Sequence, residues 1–516
     1  MNGSTSSWLS YCSGCGRSIG GRGGFATLAV MAFVAGVDSS TQSTKVELRD
    51  VDTGRVIGAG RALHPTTVPP RSEQDPETWW AALVEAMDAA LDQAQDRGVG
   101  PVDVAAIAVA GQQHGLVVLD THDQVIRPAK LWNDTESASD ADQLVHQLGA
   151  SGWADACGSV PVAAFTITKL AWLRRREPDA FAQIARVLLP HDWLTFRLTG
   201  AFVTDRGDAS GTGYWSPSED RYRLDLLEMV DAETDWASTL PEVLGPWEQA
   251  GSLTDSAARE LGLQAATPVA AGTGDNMAGA LGVGLGLGDV AVSIGTSGTV
   301  FTVSDHPTHD PGGAVAGFAD ATGRFLPLVC TANAALVTAA IAGLLGVDHG
   351  GLDALALAAP AGADGLVLVP YLAGERTPNR PDATGTLVGI RPDITPPLLA
   401  RAAFEGVVCG MLDGLAALTA AGVTTDEGRM VLLGGGARSA AYRQVLAALA
   451  DRPVTVMPGD ELVAAGAAVQ GAMLIGSGDR LGVAERWDLR SGTIIDPGPE
   501  SSASESIRRR YAAARG

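Results

Sequence analysis

Short apolar runs broken by small polar bends recur along this chain and alternate with longer stretches of helical periodicity. Ala32 to Val37 reads as a buried strand ending in the polar bend Asp38-Ser39-Ser40-Thr41-Gln42-Ser43-Thr44. The chain returns as Lys45 to Arg49, turns at Asp52-Thr53-Gly54 and returns again from Arg55 to Gly60, a strand meander. A helix follows, with Asp75 as N-cap, Pro76 in its first turn and Gly98 at its end. Strand Val104 to Ala110, the loop Gly111-Gln112-Gln113-His114-Gly115 and strand Leu116 to Leu119 complete this first stretch.

The second half repeats the plan. Asp289 to Ile294 is strand-like, Gly295-Thr296-Ser297-Gly298 is a small polar bend, and Thr299 to Val303 returns. Arg401 to Ala421 is an apolar-rich helix. Met430 to Leu433 is a strand running into Gly434-Gly435-Gly436-Ala437-Arg438-Ser439, and helices over 439–451 and 462–476 flank the strand Val454 to Met457. Strands alternating with helices predict α/β layers. Read as a duplication, the repeated strand–bend–strand unit predicts two α/β domains of related fold facing each other. We place a disordered extension at 1–31, one domain at 32–284, a second at 285–480 and a tail at 481–516. The break falls in the glycine-rich stretch Gly282 to Gly288.

Composition narrows the function. A length of 516 residues exceeds one ordinary core, and 46% hydrophobic with 18% charged residues is globular. The net charge of -23 argues against nucleic acid or an anionic membrane as partner. No run reaches the ~18 consecutive apolar residues of a membrane span. The apolar run Phe25 to Val37 resembles a secretory signal, but cleavage there would remove the strand leading into Asp38. The cysteines, 5 in all, are too scattered for a disulfide framework, and Cys12-x-x-Cys15 lacks a second ligand pair for zinc.

Several segments can carry chemistry, and each also has a plainer reading. The bend from Asp38 to Thr44 lets backbone N–H groups approach phosphate oxygens, and Asp38 suits Mg²⁺; taken alone, it reads more readily as a polar hairpin turn. Gly295 to Gly298 invites the same two readings, and a facing pair of such loops could grip a polyphosphate from both sides. In Gly272-Thr273-Gly274-Asp275-Asn276 the glycines present Asp275 on exposed backbone rather than within a helix. A carboxylate there can accept the proton of an attacking hydroxyl, and Asn276 can hold a sugar; the alternative is a turn. Gln113 and His114 lie at a strand's C-terminal end, where α/β folds place ligands, or form a surface loop. Gly434-Gly435-Gly436 is a tight strand-to-helix turn and not a Walker motif. Trp79, Trp80, Trp172 and Trp193 read as core, whereas Trp132 could flank the sugar.

At these residues the sequence resembles the FGGY carbohydrate kinases, from about Val34 to Gly476 and in the right order. Gly36-Val37-Asp38 through Lys45 resembles the first phosphate loop, with Ser40 where glycine is usual. Gly111-Gln112-Gln113-His114-Gly115 resembles the sugar-binding segment, with Gln113 where methionine is common. Ser72 to Pro76, Trp79-Trp80, Leu131 to Asp134, Gly374-Glu375-Arg376-Thr377-Pro378, Gly434 to Ser439 and Glu461 to Ala468 resemble the xylulose-specific members.

The resemblance implies two actin-like (ribonuclease H-like) domains, with ATP and Mg²⁺ in the cleft and a small ketose, D-xylulose, as substrate. It implies Asp275 as catalytic base and Asp38 as positioning Mg²⁺. Sugar contacts would come from Gln113, His114, Asp275 and Asn276. Nucleotide contacts would come from Ser40, Thr41, Ser43, Thr44, Lys45, Gly295, Thr296, Ser297, Gly434, Gly435, Gly436, Ala437 and Ser439. It implies a cytoplasmic enzyme without nucleic-acid or membrane partners, and a homodimer is compatible with it. Other ketoses and polyols, such as ribulose, gluconate or a deoxy-ketose, remain as alternatives.

A rival from another class is an ATP-driven binding module on the same fold, like the Hsp70 chaperones or a sugar-sensing regulator. Only about forty residues follow Gly476, too few for a chaperone's substrate domain, and no basic DNA-reading helix pair is evident. ATP turnover indifferent to sugar would favour that class.

Overall fold

The computed structural model describes residues 32–372, 374–459, 461–476, 478 and 480–516. The expectations for 1–31, including the disordered extension and the Cys12–Cys15 pair, lie outside the described residues.

Two mixed sheets organise the chain, and each is built around one hairpin. In the first, strand Phe33–Ser39 pairs antiparallel with Ser43–Asp50, which pairs antiparallel with Val56–Leu63. On its other side Phe33–Ser39 pairs parallel with Val104–Gly111, followed by Pro268–Ala270 and Gln249–Ser252. In the second, Val290–Ile294 pairs antiparallel with Gly298–Thr302, followed by Phe325–Thr331 and Ala316–Ala319. On its other side lie Met430–Leu433 and Val454–Val456, both parallel, and then Thr493–Ile495. A hairpin flanked on one side by parallel strands thus occurs twice, as the repeated bends predicted.

Each sheet is covered by helices whose apolar residues face it. Helix Pro76–Gln95 is capped by the Asp75 side chain and buries Trp79, Leu83 and Ala86 beneath the first sheet. Helix Pro396–Ala420 does the same for the second, beginning earlier than the apolar pattern suggested. Its length and mean hydropathy match a membrane span, which corrects the expectation that no segment would. However, 67% of its most apolar window is buried, and Arg401 inside it pairs with Glu405 and Glu500, each at 2.7 Å. These are features of a core helix. Helix Ser504–Arg515 adds Ile507 and Tyr511 to the same core.

One late helix joins the two halves. Leu462–Leu474 packs against strands Phe33–Ser39 and Val104–Gly111 and against helix Asp275–Gly282. The contact is so close that a Cβ on Gly466 would lie 1.7 Å from the Ala278 carbonyl oxygen. The run of alanine and glycine in this helix is therefore a condition of the packing, because larger residues would force its backbone away.

Candidate active site

Strand register brings the candidate residues together. Ser39 is the partner of Gly111, and Gly111 is the partner of Gly274. Asp38, Gln112-Gln113 and Asp275 consequently sit at the same edge of three neighbouring parallel strands, where side chains at strand ends converge. In the second sheet Ser293 is the partner of Leu433, so Gly295–Ser297 and Gly434–Gly436 emerge side by side.

Asp275 is the first residue of helix Asp275–Gly282, which corrects the expectation that it stands outside a helix. The physical reason is favourable: a carboxylate in the first turn lies beside unpaired backbone N–H groups and the positive end of the helix dipole. Burial nevertheless pushes its pKa up to about 7, and the nearby Asp38 and Asp208 carboxylates add to the rise. Hydrogen bonding from Asn276 opposes it. Asn276 Nδ2 donates to Asp275 Oδ1 at 2.9 Å and to Gln113 Oε1 at 2.8 Å. Thr299, beside the Gly295–Gly298 bend, donates to Asn276 Oδ1 at 3.5 Å. The two halves therefore meet at Asn276.

Asp38 is buried at its strand end. Lys45 Nζ lies 3.3 Å from Asp38 Oδ2 and 2.6 Å from Glu461 Oε2. Burial raises the Asp38 pKa to about 6 against the pull of Lys45. Its other oxygen, Oδ1, is buried without a protein partner. A hard, solitary carboxylate oxygen fits a hard divalent cation such as Mg²⁺. The acidic triad Glu73, Asp134 and Glu136 also has metal-like spacing. There, however, Lys130 Nζ already sits 3.1, 3.0 and 2.6 Å from the three carboxylates and supplies the positive charge.

The first loop is ordered by its own side chains. Ser40 Oγ donates to Ser43 O at 2.9 Å. Thr41 Oγ1 donates to Gln112 Oε1 at 3.1 Å and accepts from Trp132 Nε1 at 2.8 Å. Ser43 and Thr44 are buried, and the Thr44 hydroxyl is bonded to His64 Nε2 at 2.9 Å. The Thr44 hydroxyl is thus engaged, whereas Ser43 Oγ is buried without a protein partner. In the Gly434 turn, Gly434 has a φ of 76° and lies against the Ile294 backbone. Ser439 Oγ caps the following helix and donates to Asp353 at 2.6 Å. Gly435 and Ala437 lie in the tight turn Gly435–Arg438.

His114 has a φ of 64°, and its ring rests against Phe165 and Phe318 at 5.2 and 5.4 Å. A side chain at Gly211 would strike that ring, since a Cβ there would lie 2.1 Å from His114 Cε1. Burial, with Lys169 and Arg376 nearby, lowers the His114 pKa to about 3 and keeps the ring neutral. A neutral imidazole both donates and accepts, which suits a hydroxyl-rich ligand. Trp132 is half-buried at the same edge, in keeping with the sugar-flanking alternative for this tryptophan.

Behind these residues lies a cluster that sequence reasoning missed. His191 Nδ1 is 2.9 Å from Asp208, and Nε2 is 3.1 Å from Asp192. Burial alone would discharge this histidine, but the surrounding carboxylates raise its pKa to about 9. Asp205 accepts from Thr273 Oγ1 at 2.8 Å and caps the turn that carries Asp208. The residues lie far from Asp275 in sequence, so no local pattern could have joined them.

Residues 33–282 match the N-terminal domain of the FGGY family of carbohydrate kinases, and residues 290–475 match its C-terminal domain. The chain belongs to this family. As a carbohydrate kinase of the FGGY type it uses ATP and a sugar. It is 44% identical over 469 residues to a xylulose kinase of Streptomyces rubiginosus, covering 90% of this chain and 92% of the relative. It is 36% identical over 435 residues to a xylulose kinase of Escherichia coli, covering 83% and 87%. Among solved structures, a xylulose kinase from Bifidobacterium adolescentis superposes with a TM-score of 0.82 at 40% identity, covering 95% of this chain and 100% of the other. The actin-like, two-domain α/β architecture of this FGGY kinase agrees with that likeness.

Proposed function

We propose that this chain transfers the γ-phosphoryl group of ATP to the terminal hydroxyl of D-xylulose, giving D-xylulose 5-phosphate, with Asp275 as general base. The observation that carries the reading is the shared strand edge: a carboxylate with a pKa near neutrality stands beside Asp38 and reaches the second half through Asn276 and Thr299. A base with that proton affinity is suited to take a hydroxyl proton late in a loose transition state. The names of the 44% and 36% identical relatives support xylulose as the sugar.

In this reading the ketose lies against Gln113, His114 and Asn276, and Asp275 holds the proton that leaves the attacking oxygen. The bends Ser40 to Lys45 and Gly295 to Ser297 would lie on opposite sides of the phosphates, and Gly434 to Ser439 would flank the adenine. Asp38 would hold Mg²⁺, which when bound neutralises charge on the phosphates. Lys45 keeps Asp38 oriented from the other oxygen. Domain closure would exclude water from the transferred group. We place the reaction in the cytoplasm and leave a homodimer to be read by light scattering.

Because Gln113 stands at the sugar, a second ketose of the same family's range is a competing substrate. Coupled ADP release over pentuloses, hexuloses and polyols tests both. Xylulose should give the highest kcat/KM, and turnover of ATP indifferent to every sugar would sink the kinase reading.

A further inference from the structure

The segment Gly374-Glu375-Arg376-Thr377-Pro378 has no part in the chemistry above, yet the structure supports it firmly. Glu375, 4% exposed, accepts from Ala332 N at 2.7 Å and from Asn333 Nδ2 at 3.0 Å. Thr377 Oγ1 donates to Cys330 O at 3.0 Å. From this support Arg376 reaches across to the first half, where its guanidinium lies 5.3 Å from the centre of the Trp132 ring. Arg376 Nη1 donates to Cys330 Sγ at 3.2 Å, a weak acceptor. No carboxylate among the described residues pairs with it, although the chain carries a net charge of -23. A guanidinium held over an aromatic face by cation–π attraction spends no N–H group on that contact, so those not bonded to Cys330 can serve a ligand. Its charge acts on His114 and Lys169. It therefore stands on the same side of the site as His114 and Trp132.

We propose that Arg376 is a specificity-determining residue that binds the oxygens at the carbonyl end of the ketose, opposite the hydroxyl facing Asp275. A ketone oxygen only accepts hydrogen bonds, and the adjacent hydroxyl can accept as well, so two neighbouring oxygens match the donor-only fork of arginine. The guanidinium lies over the Trp132 ring, and Thr41 holds Trp132 through its 2.8 Å hydrogen bond.

The inference rests on the proposed role of Asp275 as base, which orients the ketose, so Asp275→Asn is run beside it. Steady-state kinetics of Arg376→Met are measured with D-xylulose and with 1-deoxy-D-xylulose, which lacks the hydroxyl next to the carbonyl. A lost charged hydrogen-bond pair should raise the KM for D-xylulose about 10–100-fold, with the KM for ATP within about twofold. The rise should be several-fold smaller for the deoxy sugar, because one of the two contacts is already missing. Arg376→Lys, which keeps the charge but not the fork, should fall between and serves as the test if Arg376→Met does not fold. An unchanged ketose KM, an equal rise for both sugars, or a loss confined to kcat overturns the assignment. If Asp275→Asn keeps wild-type turnover, the role of Asp275 as base, and with it the orientation of the ketose, fails instead.

Discussion

The side-chain amide of Asn276 is shared: one nitrogen donates to Asp275 Oδ1 at 2.9 Å and to Gln113 Oε1 at 2.8 Å. Gln113 thereby fixes which way the Asn276 amide faces, and so which atom faces the base. Its own Nε2 is buried without a protein partner.

Gln113→Met removes the acceptor while keeping comparable bulk. We expect kcat/KM for the ketose to fall by about 3–10-fold, the scale of one neutral hydrogen bond, with ATP affinity unchanged. Steady-state kinetics with saturating nucleotide check this, and an increase in kcat/KM would contradict the role given to Gln113.

Asp275→Asn should lower turnover about 10²–10⁴-fold while ATP binding, read by calorimetry, persists. In the wild type the base must be ionised, so kcat/KM for the sugar should decline as pH drops through about 7. Stability runs the other way. The folded chain holds this proton after an unfolded Asp has released it, so between about pH 4 and 7 the folded state binds more protons and loses stability as pH rises. Asp275→Asn should therefore melt higher than wild type at neutral pH in nucleotide-free protein, a gain that shrinks toward acid. An equal or lower melting temperature at neutral pH would count against the buried-carboxyl account.

Chelation of divalent cations should abolish turnover, and Asp38→Asn should raise the Mg²⁺ concentration needed for half-maximal rate by about tenfold or more. Lys45→Met should produce a smaller increase, because it removes only the group that orients Asp38. Mg²⁺ titrations at fixed ATP separate the two, and identical titration curves for wild type and Asp38→Asn would remove Asp38 from metal binding.

Gly466→Val should cost stability by about 2 kcal/mol or more, because its Cβ would fall within 1.7 Å of the Ala278 carbonyl oxygen. Denaturant unfolding measures the loss, and the helix that begins at Asp275 should shift with it and lower kcat. Full stability in the variant would mean the two helices can part freely.

The hairpins Phe33–Ser39/Ser43–Asp50 and Val290–Ile294/Gly298–Thr302 were legible because their pairing is local and their apolar runs end at small polar residues. Asp275 was legible as a candidate but not as the start of a helix. Two glycines before it read as a turn, and the helix, Asp275–Gly282, is too short to show a period. The elements between residues 120 and 270 went unread, since short helices and two- or three-residue strands there carry little periodicity. Lys45 with Glu461, Thr44 with His64, and His191 with Asp208 are products of tertiary packing, so their chemistry appears only once the sheets are assembled.

Gln470 Nε2 donates to the Gly272 carbonyl at 3.1 Å, between residues 198 apart. The same late helix covers the strand that bears Asp38. During synthesis, then, the stretch up to residue 282 leaves the ribosome with one flank of its sheet bare, and the segment that covers it follows only from residue 462. A nascent chain arrested before Leu462 would hold both acidic residues yet lack the wall that sets their spacing, so phosphoryl transfer has to wait until this helix has emerged and docked.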